Sequence, residues 1–323
     1  MRMLTKEAGR MAPQAASTGA RTRRKKPKAA RLTLLAMVLP FVALVFVFNY
    51  IPLFGWIYAF YDYKPGIPLA HTPFAGLKYF RLVLDDKDDL VRVLTNTLAL
   101  SFLSILASPL AAGFAILLNE TSGKLFKKAV QTLTTLPNFI SWIIVYSLAS
   151  VLFSSGGLLN AVLFKLHWID EATNVLGNEA ATWWFQTAVS AWKGLGFGSI
   201  IYLAAIAGID QELYDAAKVD GAGRFQRIMA ITVPGILPTF FVLTLLNIAN
   251  VLSSVSFEQN FVFYNSLVAD KIETLDYFVY RTGIATGDVS FGTAVGIAKS
   301  LVSIVLLFSM NALSKRVRGQ SVF

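Results

Sequence analysis

Two lysines lie inside long apolar stretches of this sequence, where a charged side chain could bind an anion. Lys193 stands in the segment AWKGLGFG and Lys299 in the segment GIAKSLVS. A charge at the centre of a bilayer costs about 2.5 to 3.5 kcal/mol on insertion scales, which makes each lysine a candidate functional residue. Facing a cavity, either ammonium group could hold a carboxylate of a solute. In the alternative, each forms a structural ion pair, whose acidic partner must come from outside the apolar stretches.

Four uncharged residues of the apolar stretches could also contact a polar solute. Amides form hydrogen bonds with hydroxyl groups and aromatic faces stack on the rings of solutes, and the stretches contain both kinds of residue: Asn96, Trp142, Asn247 and Asn250. The alternative is that each amide joins two helices by a hydrogen bond, or that the tryptophan lies at the membrane interface. The sequence therefore predicts a solute pathway but leaves the role of each residue open.

No group of residues in the sequence predicts a metal site or a catalytic centre. The chain has no cysteine, which excludes disulfides and thiolate chemistry. Its two histidines, His71 and His167, are isolated in polar connections with no second ligand at metal-binding spacing. A phosphate-binding loop of the pattern G-x-x-x-x-G-K-[ST] is also missing, so this chain is not expected to bind ATP or Mg²⁺. These observations argue against an enzyme.

The candidate residues must be positioned by membrane helices. The chain has 323 residues, of which 55% are hydrophobic, and its mean hydropathy of +0.58 is typical of a membrane protein. A helix needs about 20 apolar residues to cross roughly 30 Å of hydrocarbon. We therefore predict an all-α integral membrane protein with about six transmembrane helices, near residues 32–60, 93–118, 129–153, 183–208, 235–257 and 290–313.

Basic residues set the orientation of these helices. Ten of the 29 lysines and arginines precede the first span. If this end of the chain is inside, the acidic residues concentrate in the outer connections. The positive-inside rule then places both termini in the cytoplasm. We expect residues 1–31 to form a disordered basic tail, 32–315 the transmembrane domain and 316–323 a C-terminal tail. Nucleic-acid binding is not expected, because the basic tail has no interleaved aromatic residues.

A polar segment, residues 209–233, interrupts the apolar sequence between the fourth and fifth spans. Asp210 is a predicted N-cap, and Gly221 can adopt a positive φ that ends one short helix and turns the chain into a second. The small side chains around Gly221 would let another protein approach the backbone closely. The alternative is a solvated loop that has no partner.

The residues of this segment resemble a known signature. DAAKVDGAGRFQRIMAITVP is similar to the coupling loop of the membrane subunits of ATP-binding cassette importers, and WKGLGFGSIIYLAAIAGID resembles the corresponding stretch of their carbohydrate-uptake branch. Overall, the sequence resembles the membrane subunit of an alginate-oligosaccharide importer, which implies a multi-pass protein of a bacterial inner membrane. The similarity covers about residues 32–315. It implies a type I importer permease fold with a cytoplasmic coupling helix between helices 4 and 5. The residues that it assigns to coupling are Glu212, Asp215, Ala216, Ala217, Asp220, Gly221 and Arg224.

The resemblance also implies an assembly and a solute. The partners would be a second homologous permease subunit, two ATPase subunits that bind ATP and Mg²⁺, membrane lipid, and an extracytoplasmic solute-binding protein that could dock on the long outer connections. The solute would be an oligosaccharide, and an acidic one such as an alginate oligomer would suit the two lysines. Asp215 stands where the family has Glu, and its side chain is shorter by one methylene group. The sequence leaves open whether Asp215 still makes the family's polar contact with the ATPase. An ion-coupled secondary transporter is the alternative, but it would need paired acids within the spans, and none are present.

Overall fold

A computed structural model describes residues 28–253 and 256–318, so most of the predicted basic tail and the last residues of the predicted C-terminal tail lie outside the described residues. The described chain is helical, with short 3-10 and π turns at several helix ends. Its α-helices are α1 (Lys28–Val45), α2 (Lys78–Asp85), α3 (Lys87–Ala107), α4 (Pro109–Glu120), α5 (Lys124–Thr135), α6 (Trp142–Phe153), α7 (Leu158–Lys165), α8 (Glu179–Ala207), α9 (Gln211–Val219), α10 (Arg224–Arg227), α11 (Val233–Ala249), α12 (Phe257–Phe263), α13 (Ala269–Ile272), α14 (Leu275–Tyr280) and α15 (Val289–Arg318).

Six helical stretches of the described residues are long and apolar enough to cross a membrane, which confirms the predicted number. They are Leu34–Phe60, Lys87–Glu120, Trp142–Lys165, Glu179–Ala207, Arg224–Ala249 and Val289–Ser309. The predicted start of the third span at residue 129 is wrong. Proline has no backbone N–H to donate, and Pro137 lies in a 3-10 turn, Leu136–Phe139, that separates α5 from α6.

The chain divides into two compact units, Met1–Phe54 and Gly55–Phe323. In the first unit, α1 contains Pro40 and continues as a helix through Phe46–Tyr50. The large apolar side chains that are described along this helix are exposed. Such a helix must have an apolar environment around it, either lipid or another protein.

Helix α8 is the central helix of the second unit, where it packs against α3, α4, α5 and α11. Its buried Tyr202 contributes to an apolar cluster with Ala115 of α4 and Ile236 of α11. Nearer the N-terminal end of α8, Gly196 lies so close to α5 that a Cβ atom there would be 2.2 Å from the carbonyl oxygen of Thr134. This close approach requires glycine, since any side chain would collide with the backbone of α5.

The connection before α3 is held against the N-terminal end of α15. The Ser290 hydroxyl donates to the Tyr61 carbonyl (2.7 Å) and accepts from the Tyr63 N–H (3.0 Å). The Tyr79 hydroxyl, from the buried face of α2, donates to the Asp62 carboxylate. These polar contacts position α2 on α15.

The connection between α11 and α15 folds back against the membrane-spanning helices. The Trp183 indole of α8 donates to the Lys271 carbonyl (2.8 Å), and Gln259 donates to the side chain of Gln186 (2.8 Å). The Leu275 N–H donates to the hydroxyl of Thr97 on α3 (2.9 Å). Helices α12, α13 and α14 are thus anchored to α3 and α8, and they bring charged residues beside the spans.

Candidate functional site

The polar segment 209–233 is a pair of short helices joined by a tight turn. Asp210 accepts a hydrogen bond from the Glu212 N–H (3.0 Å), so the predicted N-cap of α9 is confirmed. Gly221 has a φ of 77°, and the Ala222 N–H donates to the Ala217 carbonyl (2.8 Å), so the predicted turn is also confirmed. The second helix begins at Arg224 and runs through a π turn into α11.

Two contacts fix this helix pair to the spans. The Tyr214 hydroxyl of α9 is hydrogen bonded to the hydroxyl of buried Thr232 (2.9 Å). Ile209 packs so tightly against α11 that a Cβ atom on Gly235 would lie 2.4 Å from the Ile209 side chain. A displacement of α9 would therefore be passed to α11 through both contacts.

The predicted coupling residues that carry a charge are exposed, and two of them, Asp215 and Arg224, are already paired within the chain. Lys218 donates to the Asp215 carboxylate (2.8 Å), which holds the pKa of Asp215 below its ordinary value. Arg224 donates to Glu120 at the end of α4 (3.1 Å). Glu212, Asp220 and Gly221 are exposed beside them, as is Ala216, whereas Ala217 is half-buried. All of the predicted coupling residues except Ala217 are therefore accessible to a partner.

Lys193 and Trp142, two of the predicted pathway residues, are in contact. The Lys193 ammonium donates to the Asn138 carbonyl (2.9 Å) and lies 5.2 Å from the centre of the Trp142 ring. Both partners are uncharged, and no ion pair of Lys193 occurs in the part of the chain that the structure describes. The positive charge of Lys193 is therefore not compensated by a described carboxylate.

Lys299 has an acidic partner in this chain. Its ammonium is bonded to the Asp276 carboxylate of α14, and only 14% of the lysine side chain is exposed. Both residues line a cavity of about 760 Å³ along α15, together with Gly292, Gly296 and Ser300. The structural ion pair, which the sequence left open, is present, because the connection that carries Asp276 folds back onto the span.

Asn96 is buried within the protein. Its amide donates to the carbonyls of Asp270 (2.9 Å) and Glu273 (3.0 Å), so both of its hydrogens are used inside the chain. The amide joins α3 to α13, which is the structural alternative to a solute contact.

A cluster of charges beside Asn96 was not predicted from the sequence. Glu273 is 2% exposed, and its carboxylate lies between Arg92 (2.9 Å) and Arg281 (2.5 Å). Asp89 contacts both arginines and Asp270 contacts Arg92, and both of these carboxylates are more exposed than that of Glu273. The sequence offered one signal, an acid in the apolar context IETL, but no spacing that connected it to Arg92.

The remaining two asparagines have different environments. The Asn250 amide donates to the Leu246 carbonyl (2.9 Å) at the end of α11, a contact within its own helix. Asn247 is exposed and lines a cavity of about 350 Å³ between α3, α4, α8 and α11. Of the four uncharged candidates, only Asn247 faces an open cavity without a described hydrogen bond.

The comparisons with known proteins agree on the type of protein. Residues 90–319 match the family described as binding-protein-dependent transport system inner membrane component. Protein LplB of Bacillus subtilis is 37% identical over 90% of this chain and 91% of its own length. The polygalacturonan/rhamnogalacturonan transport system permease protein YteP of the same organism is also 37% identical, over 90% of each chain.

The fold also matches solved structures. A chain of a bacterial ABC transporter involved in the import of the acidic polysaccharide alginate superposes with a TM-score of 0.79 and 33% identity, covering 90% of this chain and 97% of that one. A bacterial alginate ABC transporter in complex with an alginate pentasaccharide-bound periplasmic protein gives a TM-score of 0.79 and 32% identity, covering 91% and 97%.

Proposed function

Since the chain belongs to the family of binding-protein-dependent transport system inner membrane components, we propose that it moves an acidic oligosaccharide across the inner membrane. The chain is a multi-pass inner membrane protein and the permease subunit of a sugar ATP-binding cassette importer, not itself an enzyme. Its relatives serve several sugars, so the acidic oligosaccharide, such as an oligomer of alginate or another polyuronate, is our proposal.

The uncompensated charge of Lys193 is the main observation in favour of an acidic substrate. The Lys193 ammonium now contacts only a carbonyl oxygen and an aromatic ring among the described residues. A solute carboxylate would form an ion pair with it, which is a stronger interaction. Lys299 has no such capacity while Asp276 neutralises it. Two relatives support the same chemistry, because alginate and polygalacturonan, which their descriptions name, both carry carboxylates on their sugar rings.

In this proposal the segment 209–233 faces the cytoplasm and is the coupling element. Each of two ATPase subunits, which bind ATP and Mg²⁺, would dock on a permease subunit, this chain on one side and a second homologous permease on the other. Nucleotide-driven closure of the ATPases would move α9, and the contacts of Tyr214 and Ile209 would transmit that movement to α11. The extracytoplasmic solute-binding protein would deliver the oligosaccharide at the opposite membrane face.

Reconstitution of the assembled transporter in proteoliposomes tests this proposal. Uptake of alginate oligomers should require ATP and the binding protein, and it should persist when ionophores abolish ion gradients. The Lys193→Gln variant should lose uptake of alginate oligomers more than uptake of their carboxyl-reduced, neutral counterparts. An equal loss for both solutes would reject charge selection by Lys193, and uptake that follows an ion gradient without ATP would favour a secondary transporter.

A further inference from the structure

A cavity of about 260 Å³ lies where the ends of α4 and α8 meet the short helices α9 and α10. Apolar residues at the end of α8, such as Ala207, form part of its wall. The polar residues that line it are Asn119, Glu120, Gln211, Tyr214, Lys218 and Arg227. The cavity therefore connects the segment 209–233 with the ends of two membrane-crossing stretches, Lys87–Glu120 and Glu179–Ala207.

Of the three charged residues that line this cavity, two are neutralised by neighbours. Lys218 is paired with Asp215 (2.8 Å), and Glu120 is paired with Arg224 (3.1 Å). The Arg227 guanidinium has no ion pair with any residue that the structure describes, and its Nε atom is buried without a hydrogen-bond partner there. Its side chain is thus packed into the protein instead of extending into water. The cavity therefore contains one positive charge that no described carboxylate compensates.

The size and the chemistry of this cavity select a small oxyanion as its ligand. A guanidinium group presents its N–H donors in a planar fork that matches the oxygens of a carboxylate or a phosphate. The carboxamide of Asn119, on the same wall, can add a neutral donor. The volume of about 260 Å³ is below the range of about 300 to 1,000 Å³ that is typical of sites for larger organic ligands. A nucleotide or an oligosaccharide is therefore too large for it.

We propose that this cavity binds a small cytoplasmic oxyanion, such as inorganic phosphate, at Arg227. The inference rests on the proposed function, which places the segment 209–233 in the cytoplasm. A bound anion would connect Arg227 of α10 with the residues of α9 and α4 that line the same wall. It would thereby restrain the helix pair against the end of α4. This site is separate from the transported solute, whose proposed contact is Lys193.

The absence of native cysteine allows a direct test, because a single introduced thiol is then the sole target of a thiol reagent in this chain. Ala207→Cys places a thiol in the cavity wall without removing a polar group, and Ser122→Cys places one on the exposed connection after α4. The complete transporter in detergent would be labelled with a small neutral maleimide, in phosphate or in chloride of equal ionic strength.

We expect saturating phosphate to slow the labelling of Ala207→Cys by at least about threefold, because only the unoccupied site reacts. The labelling of Ser122→Cys should be the same in both anions. Equal labelling of Ala207→Cys in phosphate and chloride would overturn the site. Labelling that is equally slow in both anions would overturn it too, because an ATPase subunit would then cover the cavity in place of the anion.

A titration of this protection tests the role of Arg227. Combined with Ala207→Cys, Arg227→Gln should raise the half-protecting phosphate concentration by at least about tenfold, because the anion loses its charged hydrogen-bond donor. Arg81→Gln, which removes an exposed guanidinium of α2, should leave that concentration unchanged. Unchanged protection in Arg227→Gln would refute the site, while ATP-driven uptake by the wild type would still uphold the proposed function. Protection in a wild-type complex that carried no oligosaccharide would uphold the site and refute the proposed function.

Discussion

The ammonium of Lys299 is bonded to the carboxylate of Asp276, which reaches α15 from the connection that precedes it. The two residues are 23 positions apart, and the pair is mostly sheltered from solvent. An ion pair in such surroundings contributes little net stability, but removal of one member leaves a costly lone charge. The pair therefore explains how a charged residue is tolerated within the last span.

A double-mutant cycle should show this coupling between Lys299 and Asp276. We expect Lys299→Met and Asp276→Leu each to lower stability by about 3 kcal/mol, and the double variant to recover most of that loss. Thermal unfolding in detergent, followed by loss of helical circular dichroism, measures the three variants. Strictly additive losses would contradict a structural pair.

The contact between α8 and α5 gives a prediction with a matched control. A methyl group at Gly196 would collide with the Thr134 carbonyl, so Gly196→Ala should destabilise the protein by about 3 kcal/mol. At Gly113 of α4 an added methyl group would meet no atom within 4 Å, and Gly113→Ala should change stability by less than about 1 kcal/mol. Melting temperatures of the two variants in detergent provide the comparison, and equal shifts would argue against this packing.

Substitutions at Gly221 test the effect of backbone strain without the effect of a steric clash. Its φ of 77° disfavours a branched side chain by about 1 to 2 kcal/mol, although a Cβ atom would meet open space. We expect Gly221→Val to weaken co-purification of the ATPase subunits, and Gly221→Asn, which tolerates this conformation, to preserve it. Gly287→Val creates similar strain at a φ of 78° in another turn and should not affect the ATPases. Full retention of the ATPases by Gly221→Val would count against coupling through this segment.

Local features of the fold were predictable from the sequence, and long-range pairings were not. Asp210 and Gly221 act on their own backbone within a few residues, so residue type and spacing were sufficient to predict the cap and the turn. The partner of Lys299 was missed because Asp276 lies in a connection that looks like an outer loop. Asn96 contacts residues 174 and 177 positions away, a separation that no periodicity in one sequence reveals.

The buried carboxylate of Glu273 gives a prediction about these long-range contacts. It is shared by Arg92 and Arg281, so Glu273→Gln should leave both guanidinium groups without the buried carboxylate that they share. We expect a loss of about 3 kcal/mol in thermal unfolding. Asp270→Asn is the control, because Asp270 is 70% exposed and 3.4 Å from Arg92, and it should cost less than about 1 kcal/mol. Comparable losses in the two variants would show that the burial of Glu273 does not determine how much its ion pairs contribute to stability.

The bond between Tyr79 and Asp62 predicts how stability depends on pH. Burial, and then the hydrogen bond to Asp62, raises the pKa of Tyr79 to about 12, while the hydrogen bond from Tyr79 lowers the pKa of Asp62. The folded pKa of Tyr79 exceeds the unfolded value near 10, so its contribution is complete below pH 10 and is lost as the pH rises toward 12. Asp62 behaves oppositely: its contribution is present above its unfolded pKa near 4 and is lost as the pH falls below it.

Denaturation of the purified protein at several pH values between 9 and 12 should therefore separate Tyr79→Phe from wild type. Two pKa units correspond to roughly 2.7 kcal/mol, of which wild type should lose about 2 kcal/mol by pH 12 in excess of any loss in Tyr79→Phe. Tyr61→Phe keeps the Tyr79–Asp62 bond and should follow the wild-type curve. If Tyr79→Phe and wild type lost stability in parallel up to pH 12, the pKa of the Tyr79 phenol would not differ between the folded and unfolded protein, and the bond to Asp62 would not stabilise the fold.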